Sequence, residues 1–148
     1  MDAVIDTAWT ISTLKEAFDK TTLVRTGELT VRIVEGADPV LLVTMHEYGD
    51  LPIYVSAGPQ QIVVSVLLWP VDEQEDVAAF NAFLLKAQKL VPLSNFAITT
   101  VGDRDYYELI GEIATKTTLQ SLLIELRTLA ENAIDAASTM RDAFHKAA

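Results

Sequence analysis

The residues of this sequence with the most obvious capacity for acid–base or metal chemistry are its two histidines. His46, with Glu47 and Asp50 close by, could supply a general base or a metal ligand. Adjacent residues of a strand point to opposite faces, however, so His46 and Glu47 do not converge locally. His145 stands beside Lys146 in the last few residues, where a solvated side chain is expected. Both histidines are therefore interpreted as ordinary surface residues.

A group of acidic residues follows the strand-like segment that ends at Pro70, and such a group can bind a divalent cation. It consists of Asp72, Glu73, Glu75 and Asp76. The group lacks the alternating oxygen ligands and central glycine of an EF-hand loop. Acidic residues are also typical of a helix N-terminus, where they offset the helix dipole. We therefore interpret the group as a helix start, with Asp72 and Glu75 in a capping box, and predict no metal site.

The segment from Asp103 to Glu108 places carboxylates, an arginine and two phenols close together in sequence. Paired carboxylates can exchange protons with a substrate if burial separates their pKa values. This segment lies at a predicted hairpin tip, however, where its side chains are in water. Ser65 has no neighbouring histidine and no G-x-S-x-G elbow, and the sequence contains no phosphate-binding glycine loop. These observations favour a protein that is not an enzyme and needs no cofactor.

The sequence is strongly acidic, because 11 basic and 21 acidic residues give a net charge of −10. Nucleic acid and anionic membrane surfaces are bound through Lys and Arg, so neither is an expected partner. Basic or amphipathic protein segments suit such a charge better. The sequence has no cysteine, which excludes disulfides and thiolate metal sites.

The beginning of the sequence does not resemble an export signal. Residues 1–6 are acidic where such a signal needs a basic region. The longest apolar run, at about residues 62–71, is half of the ~20 residues that span a bilayer. These features predict a cytoplasmic protein with no direct membrane insertion.

Hydrophobic periodicity predicts an α+β domain with a mainly antiparallel sheet, in the order α-β-β-β-β-α-β-β-α. Apolar residues recur at helical spacing in three segments, and strand-like patterns occur in six. The predicted helices cover about residues 9–18, 72–91 and 117–144, and the predicted strands cover about 29–33, 40–46, 51–57, 61–69, 95–101 and 105–113. The pairs Gly58-Pro59 and Gly102-Asp103 mark two hairpins.

The last predicted helix is long for so small a domain. Capped at Thr117 and free of Gly and Pro, it can run for about 28 residues, or roughly 40 Å. A single domain is expected over residues 1–148, with 1–8 as a loose lead-in and about 135–148 as a projecting helix end. Near that end, Met140 and Phe144 are candidate contacts with a partner or with a second copy of the chain.

An aromatic residue beside a proline ends the most apolar strand of the sequence. Trp69 can belong to the core, or it can form a docking surface together with Pro70 at the edge of the sheet. The sequence leaves both interpretations open.

Five sequence groups resemble the YjfI-like family, a small bacterial family of uncharacterised cytoplasmic proteins. The groups keep their order and spacing across roughly residues 51–130. They are LPIYVS at 51–56, LLWPV at 67–71, DVAAFN at 76–81, LVPLSNF at 90–96 and DYYEL at 105–109.

This resemblance implies an accessory role in envelope stress, because members are commonly encoded beside a phage-shock-protein-A-like membrane-remodelling protein. The order of elements also resembles that of type III secretion chaperones, small acidic and often dimeric proteins that bind a helical or extended segment. No catalytic residues are established for the family, so none is carried over. We therefore expect a non-enzymatic, chaperone-like binding protein that forms a homodimer. A small-ligand or metal-binding regulatory domain is the alternative.

Overall fold

The computed structural model describes residues 7–141, which begin with two short helices. Helix α1 (Ile11–Asp19) starts at a capping box, in which the side chains of Thr10 and Thr13 each accept from the other residue's backbone N–H. Helix α2 (Thr22–Arg25) is a single turn that the sequence pattern did not predict. Four residues are too few to show a helical period, so only its N-cap threonine marks it.

A six-stranded, wholly antiparallel sheet forms the centre of the fold. Its strands are β1 (Leu29–Val34), β2 (Val40–Met45), β3 (Leu51–Ala57), β4 (Gln61–Pro70), β5 (Asn95–Val101) and β6 (Arg104–Ala114). Their spatial order is β1-β2-β3-β4-β6-β5, so β1 and β5 are the two edge strands. The α+β class, the antiparallel sheet and the predicted sequence of elements are confirmed, and the single-turn helix α2 is an addition to that sequence.

The helices pack on one face of this sheet. Helix α3 (Val77–Ala87) follows β4, and helix α4 (Leu119–Asp135) follows β6. Helix α1 lies on β1 and β2, while α4 lies on β4 and β6. Alternate residues of each strand enter a single core with Phe18, Phe80 and Leu126 from the helices. The opposite face of the sheet carries no helix of the described chain, which decides where a partner could bind.

The start of helix α3 differs from the prediction. The capping box at Asp72 and Glu75 is wrong, because residues 71–73 form a single 3₁₀ turn and the backbone at Gln74 is extended. The N-cap is Asp76, whose carboxylate accepts from the backbone N–H of Ala79 at 3.0 Å. By sequence, Asp72 and Asp76 are equally suitable as the N-cap of a helix. The extended conformation at the buried Gln74 is what delays the helix.

Replacing Asp76 by alanine is expected to lower the free energy of unfolding by about 1 kcal/mol, the usual cost of removing an N-cap acceptor. Urea unfolding followed by circular dichroism measures this loss. Asp38→Ala is the comparison, because it removes an exposed carboxylate from the turn between β1 and β2, where it caps no helix, and should cost less. An equal loss in both variants would contradict the assignment of the cap.

The last helix begins one residue later than predicted and does not project over the part of the chain that the structure describes. Its N-cap is Thr118, and α4 is extended by a π-helical turn at Ala136–Met140. Ala136 is buried and Met140 packs against the core. The guanidinium of Arg141 stands over the ring of Trp69, 5.3 Å from its centroid. Residues 142–148, including the candidate contact Phe144, lie outside the described residues.

The beginning of the described chain is attached to the body of the protein. The backbone N–H of Trp9 donates to the carbonyl of Thr115 at 3.0 Å, and its indole N–H donates to the carbonyl of Thr117 at 2.8 Å. The part of the predicted lead-in before Thr7 lies outside the described residues.

Candidate functional site

The histidine considered from sequence is a local structural residue. His46 begins a 3₁₀ turn after β2, and its ring nitrogens lie 2.5 Å from the hydroxyl of Thr30 and 2.6 Å from a carboxylate oxygen of Asp50. The imidazole therefore links the edge strand β1 to the turn before β3. Within residues 7–141, no three histidine, cysteine, aspartate or glutamate side chains gather closely enough to bind a metal ion.

The acidic segment at the β5–β6 hairpin forms exposed pairs. Arg104 makes two hydrogen bonds to the carboxylate of Asp72, at 2.7 and 3.1 Å. This guanidinium lowers the pKa of the Asp72 carboxyl. Asp105 accepts from the hydroxyl of Thr100 at 2.6 Å. These contacts attach the hairpin to the 3₁₀ turn after β4, and they do not bring two carboxylates together as acid–base catalysis requires.

Three of the residues proposed as partner contacts are described, and they lie together around the end of β4. Trp69 is only 4% exposed and contacts the rings of Phe80 and Tyr107, so it is a core residue. Pro70 is half-buried beside it, and Met140 packs against the same core. None of these side chains stands free on the surface. These three residues therefore do not form an exposed docking surface.

The face of the sheet that carries no helix of residues 7–141 is a candidate binding surface, and we call it the open face. It is concave from β2 to β5 in the spatial order of the strands and forms an open cavity of about 460 Å³. The lining side chains are mostly apolar or small, and they are Val40, Tyr54, Ser56, Val63, Ser65, Leu67, Thr99, Val101 and Glu108. Tyr54 and Leu67 are 45% and 42% exposed, although both lie in the middle strands of the sheet.

A single polar pair stands at the centre of the open face. The hydroxyl of Ser65 on β4 donates to the carboxylate of Glu108 on β6 at 2.5 Å. Among the described residues that line the cavity, Glu108 is the charged one. The cavity on the open face is thus a largely apolar trough that contains one carboxylate, held in orientation by a hydroxyl of the neighbouring strand.

Sequence reasoning missed this surface, although β4 carries its signal. A sheet that is covered on one face normally alternates apolar and polar residues. In β4, Ile62, Val64 and Val66 point to the core, but Val63 and Leu67 on the opposite face are apolar as well. An apolar run of this kind in an antiparallel strand indicates either a second covering layer or a binding surface.

A buried carboxyl lies on the helical side of the sheet. Glu125 of α4 is 7% exposed, and its Oε2 atom has no hydrogen-bond partner within residues 7–141. The side chain reaches toward Gly111 of β6, where a Cβ atom would come within 2.7 Å of that oxygen. Burial raises the pKa of Glu125. The glycine makes room for the carboxyl, and none of the ion pairs formed within residues 7–141 includes it.

A family described as uncharacterized proteins conserved in bacteria (DUF2170) matches residues 8–144. The chain belongs to this family. The uncharacterized protein YjfI of Escherichia coli K12, a relative, is 32% identical over 112 residues, which cover 76% of this chain and 84% of that protein.

Solved structures with the same fold are known. One is an uncharacterized protein from Methanothermobacter thermautotrophicus, with a TM-score of 0.59 and 15% identity over 88% of this chain and 99% of that one. Another is YbjN of E. coli, described as a putative transcription regulator, with a TM-score of 0.62 and 11% identity over 98% of this chain and 97% of that one. At such low identities these likenesses show the fold alone. In residues 7–141 of this family member, no helix is long and apolar enough to cross a bilayer.

Proposed function

We propose that this protein is a cytoplasmic, chaperone-like accessory protein that binds an amphipathic segment of another protein on its open face. The single observation that carries the proposal is the concave, largely apolar face of a sheet that no helix of residues 7–141 covers. Exposed contiguous apolar surface of this kind typically marks an interaction site.

The charge of the protein favours a partner segment with basic residues. The chain carries a net charge of −10, and Glu108 contributes a carboxylate at the centre of the trough. A partner that places apolar residues on Tyr54 and Leu67 and a Lys or Arg near Glu108 would satisfy both features. Opposite charges across an interface also speed association and exclude acidic competitors.

The family resemblance suggests which protein to test first. Members are commonly encoded beside a phage-shock-protein-A-like protein, and we propose that protein as the partner. Calorimetric titration of the purified pair measures the affinity. A dissociation constant too weak to detect for the wild-type chain would contradict this choice of partner.

Replacing Leu67 by glutamate should weaken binding by about 30-fold, because it removes an apolar contact and adds a second charge to the trough; such a loss corresponds to about 2 kcal/mol. Ile124→Glu is the matched control, since Ile124 is similarly exposed but lies on α4, on the other side of the sheet. Equal affinities for the Leu67→Glu and wild-type chains would show that the open face is not the binding surface.

A small-ligand-binding regulatory domain is the second candidate, and the Ser65–Glu108 pair inside the cavity favours it. A hydroxyl and a carboxylate in an apolar concavity could orient a small cationic ligand. A thermal-shift screen separates the two functions, because a ligand at 100 times its dissociation constant adds about 2.7 kcal/mol of stability. A stabilising compound whose effect disappears in Glu108→Gln would favour this alternative.

A further inference from the structure

The edge strand β5 lacks the features that normally protect a sheet edge. Natural edge strands are blunted by charged residues, proline, bulges or short length. The opposite edge strand, β1, carries Arg32. In contrast, β5 (NFAITTV) has seven residues without a charge, proline or glycine, and its pairing with β6 is regular. Within residues 7–141, no strand pairs with its outer side.

The side chain of Gln88 hydrogen-bonds to the outer backbone groups at one end of this edge, in the place that a further strand would take. The amide of Gln88, just after α3, accepts from the backbone N–H of Phe96 at 2.7 Å and donates to its carbonyl at 3.2 Å. The backbone groups of Phe96 therefore point outward, away from β6. Because these directions alternate along a strand, the groups of Ile98 and Thr100 also point outward.

An apolar groove runs beside the same edge. It lies between α3 and β5, has a volume of about 260 Å³, and is lined by Leu84, Leu85, Phe96 and Ile98 among others. Leu85 is 70% exposed and Ile98 is 49% exposed. The edge thus offers both unpaired backbone groups and exposed apolar side chains, the two components of strand addition.

We propose that the partner at this edge is a second copy of the chain, joined by antiparallel pairing of the two β5 strands. Gln88 occupies the edge at Phe96 and the hairpin turns at Gly102, so Ile98 and Thr100 are the residues available for pairing. A two-fold axis beside Thr99 allows the outward N–H and C=O groups of both Ile98 and Thr100 to form hydrogen bonds with the other copy. Ile98 of each copy then exchanges two hydrogen bonds with Thr100 of the other copy, and the two Thr99 residues face each other without hydrogen bonds.

The charges at the two ends of β5 favour this orientation. Lys86 and Lys89 flank Gln88 at the end of the edge where β5 begins. Asp103 and Asp105 lie at the other end, in and beside the hairpin turn. Antiparallel pairing places the basic end of each copy beside the acidic end of the other. Parallel pairing would instead place like charges together, which is unfavourable.

The same two-fold axis brings the apolar groove of each copy to the centre of the dimer. An axis perpendicular to the sheet keeps the helices of both copies on the same face of the joined sheet. Leu85 and Ile98 of one copy then lie beside Leu85 and Ile98 of the other copy. The two sheets become one sheet of 12 strands, from six in each copy. Its open faces join into a single surface. This dimer does not depend on the proposed function of that surface.

The experiment measures solution mass and site-specific cross-linking of the full chain. We expect a dimer by light scattering, and oxidation of Thr99→Cys should give a disulfide-linked dimer, because opposed residues of a non-hydrogen-bonded pair lie close enough for a disulfide. The chain has no native cysteine, so the cross-link is unambiguous. Its formation should be at least tenfold faster than in the control Ile124→Cys, since pairing raises the effective concentration.

Two further variants should separate the copies without unfolding them. Ile98→Lys places a charge in the apolar groove. Thr100→Pro removes an N–H that points outward and leaves the ladder to β6 intact, which edge strands tolerate. Both should be folded monomers by circular dichroism and light scattering. A monomeric wild-type chain, or equal cross-linking of Thr99→Cys and Ile124→Cys, would overturn the proposal.

Discussion

Replacement of Trp69 by alanine is expected to lower the free energy of unfolding by about 3–5 kcal/mol, the range for a fully buried aromatic residue. Trp69 is the largest side chain where β4, β6 and α3 meet. Its ring centroid lies 6.1 Å from that of Phe80 and 5.8 Å from that of Tyr107, in tilted arrangements. Phe80 and Tyr107 themselves meet edge to face at 5.2 Å. Removing the indole leaves a cavity bordered by two rings that cannot easily collapse into it.

The substitution also leaves a buried polar group without its partner. The indole N–H donates to the side-chain oxygen of Gln74 at 3.0 Å, and Gln74 is itself buried. An unsatisfied buried acceptor adds about 1–3 kcal/mol to the cost of truncation. Trp69→Phe should therefore keep part of the packing but not this hydrogen bond. Its free energy of unfolding should lie between those of the wild-type chain and Trp69→Ala.

Urea unfolding followed by far-ultraviolet circular dichroism measures both losses. Tyr54→Ala is the control, because it truncates an exposed aromatic residue of the same sheet and should change stability by no more than about 0.5 kcal/mol. Similar losses in Trp69→Ala and Tyr54→Ala would show that the aromatic cluster does not anchor the fold.

Replacement of Glu125 by methionine is expected to act in the opposite direction and stabilise the protein. Methionine has nearly the same shape, so it should fit beside Gly111 and fill the same space. The substitution removes a buried oxygen that has no hydrogen-bond partner within residues 7–141. The expected gain at neutral pH is about 1–3 kcal/mol, the cost of an unsatisfied buried polar group.

The pH dependence of this gain identifies its cause. Burial raises the pKa of Glu125 in the folded state, so the folded chain holds its proton more strongly than the unfolded chain. The contribution of Glu125 to the stability of the wild-type chain therefore falls as the pH rises above the unfolded pKa of about 4.3, and it levels off above the folded pKa. The advantage of Glu125→Met should be smallest near pH 4 and grow toward neutral pH.

Unfolding free energies of both chains at several pH values between 4 and 8 test this expectation. Glu16→Met is the control, since it removes an exposed glutamate from α1 and should produce no such trend. A constant difference between Glu125→Met and the wild-type chain across the range would indicate that only packing, and not burial of charge, distinguishes them.

Most elements of the fold could be predicted from sequence because their signals are local. Strand alternation, the turns at Gly58-Pro59 and Gly102, the proline at the end of β4 and the proline after α3 each act within a few residues. The N-cap of α3 was misplaced because Asp72 and Asp76 are equally suitable locally. The choice between them follows from the extended backbone at Gln74, which is buried against Trp69.

The surfaces and the buried carboxyl could not be predicted for a different reason. They depend on residues that are distant in sequence and meet only in the folded chain. Glu125 lies three residues after Leu122 and four before Leu129, so helical spacing places it on the buried stripe of α4, but that pattern does not show that it lies beside Gly111. Likewise, the exposure of Leu67 follows from the position of all the helices on the other face.

The strand order has a consequence for how the protein is made on the ribosome. Strand β4, the most apolar strand, pairs with β3 and β6. Because β6 is synthesised after α3 and β5, one edge of β4 stays unpaired until β6 has been made. Until then the nascent chain can form only a four-stranded sheet that exposes the backbone edge of β4. Such an unpaired apolar edge is prone to aggregation. Slow translation between α3 and β6 should therefore lower the soluble yield. The ribosome must translate this stretch faster than the exposed edge of β4 aggregates.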